Sequence, residues 1–519
     1  MQNRFVMVAG SSAALLAVLT YFAFRDGGDS TGDDTSLRPL ELYCAQGLNK
    51  PVKEILAEYK RRYGVEVVSS YDGSGSLLST IKLSGRADLY LAADKSYNER
   101  LEEKCGIAVK EVIPIGHQHA VIAVHKGNPH GIKTIEDVIK KAEAKEIRLS
   151  LADPKAAAIS QGAKEALGEE VWNRLWAHII TVRPTVNLVA DDVNREKNGV
   201  GIIWNTTAKQ LSEIDMVDVP QFVKAKSEIT IAVVETSQRP TSALRLARFI
   251  TARNEGLKVF EKHKYDVLQG DVWPEGDPLA GGKPEILLFA GGLNQEAVLP
   301  TIAAFRKREG VEVLYEFAGC GELTGRMKPK GQGLGIRPDV YFSCASPYMD
   351  RVEKLFWEPV DVSQTDMVIA VPKGNKHGIS GLKDLAKPDL KVGLCDKEKS
   401  ALGRLSADLL EKHGVYQQVQ KNTLDYPITA PGLVAKVAAD ALDAAIVYRA
   451  NVTAATDKID IIPINDPDAV ATQPIAVGRS SKHYYLSRRL VDAILSDVSR
   501  DRFLSLGFRW HGSRKKESP

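Results

Sequence analysis

Short apolar runs alternate along the chain with segments in which apolar residues recur at helical spacing. Residues 40–44 form one such run and predict a strand. The helix predicted next has one apolar face, made of Val52, Ile55, Leu56, Tyr59 and Tyr63. Gly64 ends that helix, and the alternating residues 65–69 predict a second strand. Strands that alternate with helices indicate a mostly parallel sheet, whose ligand crevice lies at the carboxyl ends of the strands.

Apolar segments further along predict a chain that leaves one lobe, builds another and returns. Residues 119–125 predict the strand that leaves the first lobe. Residues 148–152 and 200–204 predict strands of a second lobe, and residues 229–234 predict the returning strand. Two lobes joined by two crossing segments are typical of a hinged binding protein.

The sequence contains this pattern twice. The Gly-Leu-Asn sequence at 47–49 recurs at 292–294, and the segment 126–132 recurs as 373–379. These and most other matching segments are separated by 243 to 247 residues, and the separation grows from 246 to 251 across the run 331–335. A fixed period of this length indicates two tandem copies of one domain, because unrelated segments do not keep a constant spacing.

The predicted organisation has six segments. They are a membrane anchor or signal segment over 1–25, a flexible spacer over 26–37, module 1 over 38–275, a linker over 276–283, module 2 over 284–512 and a tail over 513–519. A Gly-rich run at 331–335 lacks the Lys-Ser/Thr end of a P-loop and is interpreted as an insertion loop.

The first apolar run is long enough to span a bilayer. Residues 5–24 are mostly apolar, and an acidic, Gly-rich stretch follows them. A cleavable signal peptide is the alternative, but no clear small-x-small cleavage site and no lipidatable cysteine follow the run. We therefore expect an uncleaved anchor, and with either segment the rest of the chain lies outside the cytoplasm, on the periplasmic side.

Composition excludes several classes of protein. With 44% apolar and 26% charged residues and a net charge of +3, the chain has no basic excess that would indicate nucleic-acid binding. Five cysteines in 519 residues exclude a disulfide scaffold, and their odd number leaves at least one thiol free or paired between chains.

A glycine-rich loop follows the second predicted strand of each module. In module 1 it places Ser74 and Ser76 next to glycines, and in module 2 Cys320 stands at the position of Ser74. At a strand-to-helix turn, exposed backbone N–H groups and hydroxyls at the positive end of the helix dipole can hold an anion. An ordinary turn with an N-cap is the alternative for a single copy, and recurrence of the loop favours the anion site.

No catalytic or metal site is recognisable. His117 and His119 share one face of a strand, but no third ligand stands at a metal-binding spacing. The chain also lacks a nucleophile elbow, a metalloprotease helix and a carboxylate pair at catalytic spacing. We expect no cofactor and no enzymatic activity.

The motifs and their order resemble the molybdate-binding periplasmic proteins of ABC transporters. The motifs in module 1 are the Gly-Ser-Gly loop, Ala87 to Asp94, Lys126 to Pro129, Ala152 to Pro154 and Gly201 to Trp204. The resemblance covers about residues 39–273 and 284–510. It implies an α/β fold of two tandem type 2 periplasmic-binding modules, each with two hinged lobes, after the N-terminal membrane segment. Each cleft of that fold encloses a tetrahedral dianion, molybdate or tungstate.

The resemblance also implies which residues hold the ligand. In that family two serines, backbone N–H groups and a tyrosine bind the oxyanion, with no cationic side chain on it. The corresponding positions of module 1 are Gly47, Ser74, Ala93, Ile159, Val186 and Trp204. One hydroxyl is thus lost at Gly47, and the indole of Trp204 donates but cannot accept a hydrogen bond. Oxyanion binding is still expected, because donors suffice for an anion.

Module 2 departs further from the family pattern. Its corresponding positions are Gly292, Cys320, Cys344, Leu402, Ala430 and Tyr448. With Cys395, three of the five cysteines map to the rim of one pocket. They replace small residues in a tight place, or Cys320 and Cys344 form a disulfide, or the thiolates bind a soft metal. With a disulfide or a metal, module 2 would not bind the anion of module 1.

The function implied by the resemblance is capture of molybdate or tungstate for uptake through an ABC permease in the membrane. A tethered receptor or sensor is also compatible with an uncleaved anchor. The alternative from another class is a membrane-tethered scaffold in which one or both clefts are degenerate.

Overall fold

The computed structural model describes residues 38–274, 283–329 and 335–512. Within these ranges each module consists of two lobes in which helices cover a β-sheet. The predicted α/β class with two tandem modules is therefore confirmed.

Several predicted segments lie outside the described ranges. They are the apolar run 5–24, the spacer 26–37, most of the linker 276–283, most of the insertion loop 331–335 and the tail 513–519. Among the described residues, no helix has the length and apolar character needed to cross a membrane.

The first lobe of module 1 is built on a six-stranded sheet. Strand Leu40–Ala45 lies between Val67–Asp72 and Leu89–Ala92 and runs parallel to both. The remaining strands are Ser227–Val234, Val109–Gln118 and Asp266–Val267. The helices are Asn49–Tyr63, Ser74–Ser84, Ser96–Cys105, Pro240–Ile250 and Gly256–Lys262, with a 3₁₀ turn at Gln46–Leu48. The carboxyl ends of the three parallel strands thus lead directly into the loops that reach the cleft.

The second lobe of module 1 contains a five-stranded sheet. Its strands, in spatial order, are Thr181–Arg183, Arg148–Ala152, Gly199–Trp204, Ala120–His125 and Ile214–Val217. Its helices are Ile135–Glu143, Ala158–Leu167, Glu169–Trp176, Val186–Arg195, Asn205–Ala208 and Pro220–Lys224. His119 alone separates the last strand residue of the first lobe, Gln118, from the first strand residue of the second, Ala120. The chain therefore crosses between the lobes within one extended segment.

Module 2 repeats this plan with one difference. Strand Val360–Pro372 runs without a break through both lobes and joins their strands into one ten-stranded sheet. The other strands are Glu285–Gly291, Glu312–Ala318, Val340–Phe342, Val392–Gly393, Thr423–Asp425, Ala444–Tyr448, Ile459–Pro463, Val470–Val477 and Arg509–Trp510. The α-helices are Gln295–Glu309, Cys320–Met327, Ser346–Asp350, Ala401–Lys412, Tyr416–Asn422, Pro431–Ala438, Arg449–Val452, Tyr484–Ile494 and Asp497–Ser505. Short 3₁₀ turns cover Gly292–Asn294, Glu353–Leu355, Leu382–Ala386 and Thr453–Ala455.

Several predicted strand boundaries are displaced by one to three residues. The strand expected over 65–69 begins at Val67, because its parallel register sets Val67 opposite Leu40. Gly64 adopts φ +65° at the end of the preceding helix, so two residues are needed to bring the chain to the sheet. The returning strand expected over 229–234 begins two residues earlier, at Ser227.

A buried cluster of charges joins the two modules. The Glu309 carboxylate of module 2 is fully buried and lies 2.7 Å from Arg248 Nη1 of module 1 and 3.2 Å from Arg489 Nη2. Arg248 Nη2 also donates to the Glu309 carbonyl at 2.5 Å. Burial acts to raise the pKa of Glu309, but the guanidinium groups of Arg489, Arg248 and Arg308 hold it below the usual value. The carboxylate is therefore charged, and its charge is neutralised by residues of both modules.

A second contact between the modules is a helix cap. The Asp271 carboxylate of module 1 accepts hydrogen bonds from the N–H groups of Tyr485 and Leu486, at 2.9 and 3.0 Å. These donors belong to the first turn of helix Tyr484–Ile494, where N–H groups have no partner within the helix and a negative charge is favourable. Residues from Leu40 onward accordingly form one compact unit.

We predict that Glu309→Gln destabilises the full-length chain by about 3–5 kcal/mol, because two buried guanidinium groups lose the charge that neutralises them. Urea unfolding followed by circular dichroism measures this change. Glu66→Gln is the matched control: it removes the exposed ion pair with Lys60, 2.8 Å long, and should leave the midpoint nearly unchanged. Equal midpoints for the two variants would contradict the assigned role of the buried cluster.

Candidate functional site

The six positions predicted for module 1 surround one cavity between its lobes. They are Gly47, Ser74, Ala93, Ile159, Val186 and Trp204. The space, including its open mouth, is about 250 Å³. Sequence reasoning missed Ala45, Gln46, Gly73, Ala157, Ala158 and Thr185, which line it as well. Thr185 had a recognisable signal, because a threonine directly before a helix of apolar periodicity is a typical N-cap.

Three helices begin at this cavity. Helix Ser74–Ser84 comes from the first lobe, and helices Ala158–Leu167 and Val186–Arg195 come from the second. Their first-turn N–H groups lack partners within the helix, and each helix start carries a partial positive charge. No charged side chain is among the described residues that line the cavity. This combination suits a small anion held by neutral donors.

Ser74 is held rigidly in the cavity wall. Its hydroxyl oxygen accepts a hydrogen bond from the N–H of Ala93 at 3.4 Å, and its carbonyl accepts one from the Tyr90 hydroxyl at 3.0 Å. A serine hydroxyl both accepts and donates. Because the Ser74 oxygen accepts from the protein, its hydrogen remains available to donate to a ligand in the cavity.

Gly47 lies opposite a small unfilled space. A Cβ atom added there would stand 3.4 Å from Val186 Cγ1 and 3.8 Å from Trp204 Cδ1, which are ordinary contact distances. The Gly47 carbonyl is fixed by a 2.6 Å hydrogen bond from the hydroxyl of Tyr265. The position can thus accommodate a serine side chain, although the present residue supplies no hydroxyl.

The N–H groups of the glycine-rich loop in module 1 were expected to be exposed to an anion, but in the structure they are bonded to other parts of the protein. The N–H groups of Gly75 and Ser76 both donate to the Ala156 carbonyl of the second lobe, at 2.8 and 3.3 Å. The N–H of Gly73 donates to its neighbour Asp72, at 2.7 Å. The prediction was wrong for these three groups, because the sequence does not show that the opposite lobe supplies an acceptor. The loop closes the cleft, and the hydroxyl of Ser74 is its contribution to the cavity.

Glycine is required in this loop because the lobes approach so closely. A Cβ atom on Gly73 would lie 2.3 Å from the Ala156 carbonyl oxygen, and one on Gly75 would lie 2.0 Å from that of Lys155. Both distances are far below van der Waals contact. Any larger residue at either position would hold the lobes apart, so the structure represents the closed arrangement of the cleft.

Module 2 has an equivalent cavity of about 310 Å³. Its wall includes all six predicted positions, Gly292, Cys320, Cys344, Leu402, Ala430 and Tyr448. Polar residues that sequence reasoning missed there are Ser400, Thr429 and Asn451. The two lobes of module 2 are closed in the same way as those of module 1. The N–H groups of Gly321 and Glu322 donate to the Lys399 carbonyl at 3.0 and 3.3 Å.

The cysteines of module 2 are thiols in this structure. Cys320, Cys344 and Cys395 are buried and free, so the disulfide considered from the sequence is not formed. The described residues also contain no group of three or more His, Cys, Asp or Glu side chains arranged to hold a metal ion. Of the three alternatives, small buried residues that replace Ser, Ala or Gly fit the structure best.

Comparison with known proteins identifies the family. The profile of the bacterial extracellular solute-binding proteins matches residues 40–266 and again residues 286–509. A putative binding protein of Haemophilus influenzae is 24% identical over 232 residues, which are 43% of this chain and 90% of that protein. The molybdate-binding protein ModA of Escherichia coli is 25% identical over 227 residues, or 42% of this chain and 85% of that protein.

Solved structures of similar proteins each align with part of the chain. The periplasmic molybdate-binding protein of Azotobacter vinelandii has a TM-score of 0.37 at 13% identity and covers 44% of this chain and 99% of its own. The substrate-binding domain of a putative molybdenum ABC transporter from Clostridium difficile has a TM-score of 0.35 at 20% identity, with coverages of 44% and 99%.

The two profile matches occupy most of the chain and fall one on each module. The architecture of two lobes around a cavity is present in both. The chain therefore belongs to the bacterial extracellular solute-binding protein family and carries two copies of its domain in tandem.

Proposed function

We propose that module 1 captures a tetrahedral oxyanion, molybdate or tungstate, and delivers it to an ABC-type permease. The observation that carries this proposal is the cavity at which two helix N-termini of the second lobe meet the Ser74 hydroxyl of the first, without any charged residue among the described lining residues. Fixed neutral dipoles of this kind stabilise a desolvated dianion, and a rigid cavity discriminates ligands by size. Molybdate-binding relatives with about one quarter of their residues identical support the choice of anion.

Membership of the family fixes the broader class of function. Solute-binding proteins of this family are not enzymes, which confirms the expectation of no catalytic activity, and they act outside the cytoplasm. We propose that residues 5–24 anchor the protein in the membrane beside its permease. The alternative of a tethered scaffold in which both clefts are degenerate predicts that no oxyanion binds.

We expect molybdate and tungstate, but not sulfate or phosphate, to raise the thermal unfolding midpoint of the full-length chain. At one hundred times its Kd the ligand stabilises the folded state by about 2.7 kcal/mol. Ser74→Ala removes a hydrogen bond to a charged ligand and should weaken molybdate binding by about 1.5–3 kcal/mol, measured by titration calorimetry. If no oxyanion shifts the midpoint, the proposal fails and the scaffold alternative replaces it.

Gly47→Ser is expected to tighten molybdate binding. The added hydroxyl enters a space with no atom closer than 3.4 Å to its Cβ and offers one more donor to the anion. A hydrogen bond to a charged group contributes about 1.5–3 kcal/mol, which corresponds to a Kd lower by roughly tenfold or more. Calorimetry on the variant and the wild type tests this. An unchanged or weaker affinity would show that the ligand does not lie against residue 47.

Gly75→Ala should impair binding by preventing closure, because the new Cβ would lie 2.0 Å from the Lys155 carbonyl oxygen. Loss of two interlobe hydrogen bonds predicts affinity weaker by about 1–3 kcal/mol. The control is Gly162→Ala, where the nearest atom would be 4.0 Å away and alanine favours the helix. Small-angle X-ray scattering with molybdate should show compaction in the control but not in Gly75→Ala. Compaction in both variants would contradict the role of the loop.

A further inference from the structure

Two thiols lie side by side in the wall of the module 2 cavity. The N–H of Cys344 donates to Cys320 Sγ at 3.0 Å. A Cβ atom built on Gly291 would lie 1.9 Å from Cys344 Sγ and 2.8 Å from Cys320 Sγ. The sulfur atoms are therefore neighbours, packed against a residue that has no side chain.

These thiols stand where module 1 has a hydroxyl and a methyl group. Cys320 occupies the position of Ser74, and Cys344 that of Ala93. The backbone contact is the same in both modules, since the N–H of Ala93 donates to the oxygen of Ser74 as that of Cys344 donates to the sulfur of Cys320. Module 2 thus keeps the geometry of the cavity wall but replaces a hard oxygen donor by a pair of soft sulfur atoms.

A buried hydroxyl also lies in the wall of this cavity without a partner. The Tyr448 side chain is 97% buried, and its hydroxyl makes no hydrogen bond to any described residue. The side-chain oxygen of Asn451, in the same wall, likewise has no partner there. Leaving such groups unsatisfied costs free energy, so buried polar groups are nearly always paired. A ligand that carries a hydroxyl group would satisfy them.

The two thiols differ in pKa. Burial opposes ionisation of Cys320, but hydrogen bonds from the thiol and N–H of Cys344 hold the pKa of Cys320 below its usual value. The pKa of Cys344 is raised, first by its hydrogen bond to Cys320 and further by burial. Cys320 is therefore the more acidic thiol of the pair.

We propose that the module 2 cavity binds a trivalent oxyacid of a thiophilic metalloid, of the arsenous acid type, through Cys320 and Cys344. Arsenous acid is neutral near pH 7. It therefore suits this cavity, because none of the described residues that line it is charged. Two S–H bonds and two As–O bonds break, and two As–S bonds form. The two thiol hydrogens leave with two hydroxyl groups of the ligand as two water molecules. The oxidation state of arsenic does not change. The remaining hydroxyl of the ligand is left to hydrogen-bond with Tyr448.

A metal ion fits this site less well. The described residues supply two adjacent thiols but no third ligand that would complete a group of metal-binding side chains. A tetrahedral dianion is also disfavoured, because both serine positions of the family pattern are occupied by residues without a hydroxyl, Gly292 and Cys320. A trivalent metalloid needs only two thiols from the protein. Its remaining hydroxyl group can hydrogen-bond with the hydroxyl of Tyr448, which also lines the cavity.

The test is a titration of the reduced full-length chain with sodium arsenite under anaerobic conditions. Arsenic that stays with the protein after desalting is counted by elemental mass spectrometry. We expect one arsenic per chain for the wild type, no retained arsenic for Cys320→Ser or Cys344→Ala, and roughly tenfold weaker binding for Tyr448→Phe. Cys105→Ser, which changes a thiol of module 1, is the matched control and should bind like the wild type.

The two cysteine variants introduce the residues that module 1 has at the same positions, so both are expected to fold, and circular dichroism verifies this. Arsenic retained by either folded variant, or none bound by the reduced wild type, overturns the proposal. Stoichiometric binding of silver(I) without arsenite binding also overturns it, in favour of a metal site. The readout does not depend on molybdate binding by module 1, so the two proposals fail or succeed separately.

Discussion

One backbone carbonyl in each module accepts two hydrogen bonds across the closed cleft. The Ala156 carbonyl accepts hydrogen bonds from the N–H groups of Gly75 and Ser76, and the Lys399 carbonyl does the same for module 2. These donors belong to the first turn of a helix, where no partner exists within the helix and the partial charge is positive. The N–H groups that have no partner within the helix thus donate to a carbonyl of the opposite lobe. The cavity lies beside these hydrogen bonds in the closed cleft.

A second constraint makes the two modules one body. Glu309 is buried between Arg248 of module 1 and Arg489 of module 2, so contact between the modules supplies one of the guanidinium groups that neutralise its charge. A buried ion pair that loses one partner is strongly unfavourable. The described residues of both modules accordingly belong to one compact unit.

The modules share their closure but differ in the chemistry of the cavity. Both keep glycines where the lobes touch, because a Cβ on Gly75 or Gly321 would lie 2.0 Å from a carbonyl oxygen. The cavity wall is free of this constraint and has diverged, from the hydroxyl of Ser74 to the thiols of Cys320 and Cys344. Residues that hold the lobes together are thus separable from residues that face the ligand, which allows one duplicated scaffold to carry two different sites.

The sequence by itself determined the α/β class and the duplication, because apolar periodicity and recurring segments can be read along the chain. The expected cavity positions came from the resemblance of its motifs to a known family. The sequence did not show that the N–H of Gly75 is bonded across the cleft, since the acceptor belongs to a loop of the other lobe. Nor did it show that Glu309 lies between arginines 61 and 180 residues away. Only the tertiary structure decided these contacts, because they join surfaces that meet after the lobes and modules have packed.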